Sequence, residues 1–563
     1  MTTSAQPDTR RAAGRRVGAA LLLTLIVLAG AWLRISGHDW DADQHLHPDE
    51  ILITRLTIEQ ITWPPGTTLT LLVDPATSPL NVRRFGLPYG SLPIYLTKAA
   101  TVAAFALTQD RYFTSYNGTQ QTGRLVNALL DSLTILLVAA VGRRLWGLGA
   151  GIVAAALYAG SILAIQQAHY ATVDTPLTLL LTATLLGSVG VAQTGRRRWA
   201  GLAGVALGLA LACKITALSL GLLPLGAILL RGRRDRWRRS VGLLGVAAGG
   251  GLLALALGDP FALLDIPGYL QVSRLVFAQN GVGGDQPFTR RWVGALPVVY
   301  SWGQLALLGS GPLVGVAATG GLGLMVRHAW RARRLDLAVV LLGAGSYFAA
   351  IAFLEAKWVR YLLPLVPYLC LGATAFGYGL ARWGRRRNAE GWWRGLISTG
   401  LVGSAALGAL ACTAVYRQED SRVQATRWIV AQVPPGSRIG SETGDYGLPL
   451  PLLPDVVPQQ RYHLESLDPL ADQSSAKTSA TLYAYLNRVD YVTLSSERNR
   501  IVPPRMPWRY PVQARYYELL FAGRLGLRLV YHQEAHPALF GAVWRDEAAW
   551  ADSSFIEYDH PPV

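Results

Sequence analysis

The feature that most limits what this chain can fold into is the recurrence of long apolar runs separated by arginine clusters. Residues 17–33 open the series. Further runs lie at 124–142, 148–167, 175–193, 200–213, 216–230, 241–257, 303–326, 336–354, 361–380 and 393–415. Most approach the roughly 20 residues that a helix needs to cross the hydrocarbon of a bilayer. In a chain 51% hydrophobic and only 15% charged, so many runs cannot all be buried in one water-soluble core. Helices also satisfy their own backbone hydrogen bonds in lipid. The expectation is a polytopic α-helical membrane protein of about eleven spans.

The arginines orient that bundle. They cluster at Arg10–Arg16, Arg143 and Arg144, Arg196–Arg198, Arg231–Arg239, Arg327–Arg334 and Arg382–Arg387. Short loops rich in Arg mark the cytoplasmic side. With an inside N-terminus, every cluster falls inside, and residues near 47–50, 169–174, 259–300 and 355–360 fall outside. The net charge of +17 is thus loop patterning and not the single basic face that nucleic acid requires. Cys213, Cys370 and Cys412 all sit in apolar runs, which excludes a disulfide framework. Lysine occurs only at Lys98, Lys214, Lys357 and Lys477, so each one stands out.

The chain divides into a cytoplasmic tail at 1–16, a membrane module at 17–415 and a soluble extracytoplasmic α/β domain at 416–563. Residues 17–33 are too long, and too poor in small-residue cleavage signals, for a removable leader. Residues 37–122 form a first outer loop with one apolar stretch, 92–107, expected to lie at the interface. The pair of runs at 200–230 is short on each side of Lys214 and suits a hairpin that does not fully cross. In the C-terminal domain, helix-then-strand order is predicted three times: 421–432 then 438–441, 482–486 then 489–494, and 516–521 then 527–531.

Three clusters carry candidate chemistry. The first is His47-Pro48-Asp49-Glu50, beside His45, Asp41 and Asp43, just outside the first span. Carboxylates beside a bilayer are costly unless hydrated, paired or metal-bound, which makes them functional candidates. The second is His169 to Asp174, where Asp174 precedes Thr175-Pro176 and could equally cap a helix. The third is Lys357-Trp358-Val359-Arg360-Tyr361, whose cations lie outside, against the general trend. They suit either lipid-headgroup snorkelling or a seat for a lipid phosphate. Asp49, Glu50 and His47 are also ligand types for a divalent cation, Mg²⁺ or Mn²⁺ before Zn²⁺, although no spacing is diagnostic. No Gly-rich phosphate loop appears, so no nucleotide cofactor is expected.

The order His47-Pro48-Asp49-Glu50, then Ala168-His169-Tyr170-Ala171-Thr172-Val173-Asp174, then Lys357 to Leu365 resembles the polyprenyl-phosphate-dependent membrane glycosyltransferases. The likeness is to the protein-mannosyltransferase and aminoarabinose-transferase type, family 39. Arg427-Trp428-Ile429 to Pro434-Pro435-Gly436 and the terminal Tyr558-Asp559-His560-Pro561 add to it. The resemblance implies a GT-C fold with the active site in the first outer loop. Asp49 would be the main catalytic carboxylate, Glu50 its assistant or a cation ligand, and Asp174 the second acid. Lys357 and Arg360 would bind phosphate, with His47, His169 and Tyr361 in support. The donor would be a polyprenyl-phosphate sugar, and the acceptor an unspecified lipid, glycan or protein hydroxyl. A transporter or flippase is the alternative, although transporters place their charges near mid-membrane in paired repeats that are not visible here.

Overall fold

The computed structural model describes residues 9–63, 65–232, 237–381, 390–442, 446–451, 457–543 and 560–563. Residues 1–8 of the expected tail, part of the Arg231–Arg239 cluster, Arg382–Arg387, and Tyr558 and Asp559 lie outside them.

Helices form where the apolar runs predict. Thr9–Ile35, Tyr116–Trp146, Asp174–Thr194, Trp237–Gly258, Leu335–Ala352, Val366–Ala381 and Glu390–Thr413 are the principal ones. Among the described residues, eight helices are long and apolar enough to span a membrane, or nine if one bent pair counts as a span. The count of eleven is not reproduced, for local reasons. The run at 148–167 breaks by 58° between Leu148–Ala159 and Ile162–Ala168. The run at 200–213 becomes the 15-residue helix Arg197–Leu211. The run at 303–326 is split between Pro297–Leu308 and Pro312–Arg331. The apolar stretch at 92–107 forms the shorter helix Leu92–Thr108.

The packing has two polar ends. At one, Arg144 bonds Gln193, Arg334 bonds Asp336 and the Leu145 carbonyl, and Arg231 and Arg239 donate to carbonyls of residues 192, 193 and 195. Arginines from three separate clusters therefore converge at one end of the bundle. The helix Tyr116–Trp146 runs from this end to the other, about 45 Å away at 1.5 Å per residue. Between them, Arg34 bonds Asp131 at 2.5 Å, and the Tyr158 hydroxyl bonds the same carboxylate at 2.7 Å, so this buried pair is compensated.

Beyond Tyr416 the chain forms a small α/β unit. Strands β1 (Arg438–Glu442), β2 (His463–Leu467) and β3 (Tyr491–Thr493) make a parallel sheet in the order β2-β1-β3. Helices Ser421–Gln432, Ser475–Leu486 and Pro511–Phe521 match the predicted ones. The expected strand at 527–531 does not form; Tyr531 stacks on Trp428 with centroids 5.0 Å apart. The unit is tied to the bundle by aromatic contacts: Tyr416 stacks on His169 at 3.9 Å, and Trp40 packs against both Tyr170 and His560.

Candidate active site

At the end away from the arginine clusters, Pro48 opens the helix Pro48–Glu59. Proline's fixed φ suits the first helical position, where its missing N–H is not needed. Asp49 and Glu50 follow it in the first turn. Neighbours on a helix are about 100° apart around its axis, so the two carboxylates leave in different directions.

Glu50 points inward and is fully buried. Arg124 binds it at 2.9 and 2.7 Å, Gln120 donates at 3.0 Å and the Ala171 N–H at 2.6 Å. Arg124 also grips Asp41 with two bonds, at 2.9 and 2.8 Å. Four donor contacts saturate the Glu50 carboxylate, leaving it poorly placed for either a proton or a metal ion. Its effect is on the neighbouring chain: together with Asn127, which bonds the Tyr170 and Thr172 carbonyls, it anchors the segment that leads into Asp174.

Asp49 faces the other way and keeps partial exposure. Its carboxylate pairs with Arg360 at 2.5 Å and accepts from the Tyr89 hydroxyl at 3.3 Å. Burial, and then the charge of Asp49, hold the Tyr89 phenol well above its ordinary pKa, so it remains a donor. Close by, Asp174 begins the helix Asp174–Thr194 but makes no capping bond. Its carboxylate binds the Lys214 ammonium at 2.7 Å, and both groups are buried. Lys214 also lies over the rings of Tyr361 at 4.2 Å and Tyr89 at 5.4 Å. Two carboxylate–cation pairs thus flank two tyrosines. Both pairs sit at helix ends, unlike the mid-membrane charges of a transporter.

Gly90 explains why Tyr89 reaches Lys214. Its N–H bonds the Cys213 carbonyl at 2.9 Å, and an added Cβ would lie 2.1 Å from the Ala212 oxygen. Only glycine permits this backbone-to-backbone approach.

The remaining predicted residues are placed elsewhere. Lys357 is buried and donates to the Leu354 carbonyl at 2.5 Å, and burial lowers its pKa. The cation brought to the tyrosines is Lys214 instead. The two ring nitrogens of His169 face the carbonyls of Ile165 and Ser36, to one of which the ring donates, and the residue serves as a joint. His47 packs on Tyr170 at 4.6 Å. Burial holds its pKa well below the usual range, and the charges of Arg360 and Arg124 push the same way. The proposed cation set of Asp49, Glu50 and His47 is therefore not assembled: Asp49 is paired with arginine, Glu50 is saturated and His47 is packed. No group of three or more His, Cys, Asp or Glu side chains suited to a metal ion occurs among the described residues. The donors do not fit a bound cation. Tyr89 gave no signal in the sequence, whereas Lys214 could have been singled out by the rarity of lysine.

With this geometry in hand, the comparisons are informative. Over 88% of its length the chain superposes on 72% of the apo oligosaccharyltransferase of Archaeoglobus fulgidus, with a TM-score of 0.50 and 13% identity. This is the GT-C fold. Residues 102–258 match the family profile described as dolichyl-phosphate-mannose-protein mannosyltransferase. ArnT from Cupriavidus metallidurans bound to undecaprenyl phosphate is also similar, at 15% identity and a TM-score of 0.45, covering 84% of this chain and 90% of ArnT. The zinc- and sulfate-bound form of the Archaeoglobus fulgidus enzyme matches at 14% identity and a TM-score of 0.42, covering 73% of this chain. The chain spans only 55% of that enzyme's length. A sequence search of curated proteins found no match. The GT-C chain described here is a multi-pass membrane protein with a small C-terminal sheet region.

Proposed function

We propose that this protein transfers a glycosyl group from a polyprenyl-phosphate-linked sugar to an acceptor hydroxyl of a lipid, glycan or protein at the extracytoplasmic membrane face. The observation that carries the proposal is the pairing of Asp49 with Arg360 beside Asp174 and Lys214. The match of residues 102–258 to a family described by its dolichyl-phosphate mannose donor supports a lipid-phosphate leaving group.

A phosphate leaves readily, so the reaction requires a base for the incoming hydroxyl and positive charge for the departing anion. In this reading, the acceptor oxygen attacks the sugar's anomeric carbon while Asp49 takes its proton. The bond from that carbon to the phosphate oxygen breaks, and polyprenyl phosphate leaves with the electron pair. Attack opposite the leaving group inverts the anomeric centre. Arg360 turns from Asp49 toward the phosphate, where its planar guanidinium can chelate two oxygens. That movement frees Asp49 to act as base. Lys214 adds a point charge, and Asp174 holds it in place. The N-terminus is cytoplasmic, and residues 416–563 share the outer side with the site.

The test is mass spectrometry of envelope lipids, glycans and proteins from cells carrying the wild type or Asp49→Asn at equal membrane levels. Loss of a position-assigned base costs on the order of 10²–10⁴ in rate. One glycosylated species should therefore disappear in the variant. Full product with Asp49→Asn would remove the assignment.

A further inference from the structure

Two acids and two arginines close a ring between the bundle and the C-terminal unit. Asp285 and Arg290, in the segment before the helix Pro297–Leu308, pair at 2.7 Å. Arg290 also reaches Asp472 of the C-terminal unit at 2.9 Å, and Asp472 binds Arg509 at 2.7 Å. Arg509 returns to Asp285 at 2.8 Å. Arg290 is buried and gives its third nitrogen to the Tyr510 hydroxyl, while Arg505 donates to the Arg291 carbonyl. Two of the four side-chain contacts of the Arg290 guanidinium thus come from the C-terminal unit and two from Asp285, so its orientation is set in part from outside the bundle.

The next two residues pass that constraint on. The Arg291 guanidinium lies 5.6 Å from the Trp358 ring, and Trp292 meets Trp358 edge-on at 5.1 Å. Trp358 is buried and backs Arg360, whose guanidinium lies 5.3 Å from the same ring. Arg360 then reaches Asp49. A packed path therefore runs from the charged ring to the candidate phosphate ligand.

We infer that Asp472 and Arg509 are positioning residues for Arg360: the C-terminal unit clamps residues 285–292 against Trp358 and so holds the arginine that meets the donor's phosphate. The inference rests on the function proposed above and deepens it by giving the C-terminal unit a part in donor binding. A long, flexible side chain held in its working orientation loses less freedom when the ligand arrives, and the affinity gained is gained by preorganisation. Spatial continuity alone does not establish coupling between two sites, whereas a double-mutant cycle measures it.

The experiment measures the affinity of the full chain in lipid nanodiscs for undecaprenyl phosphate. The proteins are the wild type, Asp472→Asn, Asp472→Glu, Arg360→Gln and the double variant Asp472→Asn/Arg360→Gln. Asp472→Asn should weaken binding about tenfold, and the double variant should bind no more weakly than Arg360→Gln alone. Asp472→Glu should bind close to wild type. Unchanged binding in Asp472→Asn, or additive losses in the double variant, would overturn the inference and leave the role of Arg360 standing. Unchanged binding in Arg360→Gln would instead remove the phosphate seat, and the inference with it. If Asp472→Asn does not fold, Tyr510→Phe, which deletes only the hydroxyl facing Arg290, takes its place in the same cycle.

Discussion

Asp49 and Glu50 are adjacent in sequence and have opposite fates. Glu50 is sealed, its carboxylate shared among Arg124, Gln120 and a backbone N–H. Asp49 has one cation and one phenol as partners and is partly open to solvent. One step along a helix separates a structural knot from the proposed base. Chemical type did not decide which residue does which; the direction of the side chain did.

The strongest challenge to that contrast is Glu50→Gln. Breaking a buried ion pair costs roughly 3–5 kcal/mol where the other charge is stranded, and less here because Arg124 keeps its two bonds to Asp41. Glu50→Gln should therefore lower the yield of folded protein and its melting temperature, read by detergent-solubilised size-exclusion profiles on heating. Asp49→Asn should leave both near wild type. A stable, active Glu50→Gln protein would make the two carboxylates equivalent in a way the geometry does not allow.

A second comparison sets Lys214 against Lys357. Lys214→Met removes the partner of a buried carboxylate and the cation over two tyrosines, and should reduce transfer by roughly 10²-fold or more, as loss of a charge-stabilising donor does. Lys357→Met, whose ammonium meets only a backbone carbonyl among its described hydrogen bonds, should reduce transfer less than about tenfold. Initial rates in membranes with matched protein levels decide between them. The reverse order would restore the phosphate-binding pair expected from the sequence.

The smallest effect concerns Glu442, a buried carboxyl without a cation. It accepts from Tyr517 at 2.6 Å and Tyr516 at 3.2 Å, and burial raises its pKa from 4.5 to about 7. A carboxyl with a raised folded pKa binds its proton more tightly in the folded state. Its contribution is therefore full below the unfolded pKa and is lost as pH rises toward 7. Hydrogen exchange of β1 in the full chain should show protection falling between about pH 4.5 and 7, and Glu442→Gln should flatten that slope. A slope unchanged in Glu442→Gln would assign the pH dependence to another group.

Much of this architecture was legible in the sequence. Apolar runs located the helices because a bilayer leaves the backbone few alternatives. The span count was less legible, because composition alone does not show that Leu148–Ala168 bends or that Arg197–Leu211 stops short. Asp49, Asp174 and Arg360 were readable as charges at the ends of apolar runs. The burial of Glu50 was not legible, because its partner, Arg124, stands at the head of an apolar run and no local pattern links the two. Lys357 was favoured because its charge ran against the positive-inside trend and because the family resemblance paired it with Arg360. Lys214 reaches Asp174 through a turn, and the Gly90 contact that brings Tyr89 alongside leaves no local pattern.

Arg360 is central to the proposed mechanism, which has it pair with Asp49 at rest and with a phosphate during transfer. The direct measurement is undecaprenyl phosphate binding and sugar transfer by Asp49→Asn, with Arg360→Gln beside it. Freed from its carboxylate, Arg360 should let Asp49→Asn bind the lipid phosphate at least as tightly as wild type while transferring no sugar. Arg360→Gln should lose the binding. Weakened binding in Asp49→Asn, or sugar transfer at the wild-type rate, would contradict the exchange of partners on which the mechanism rests.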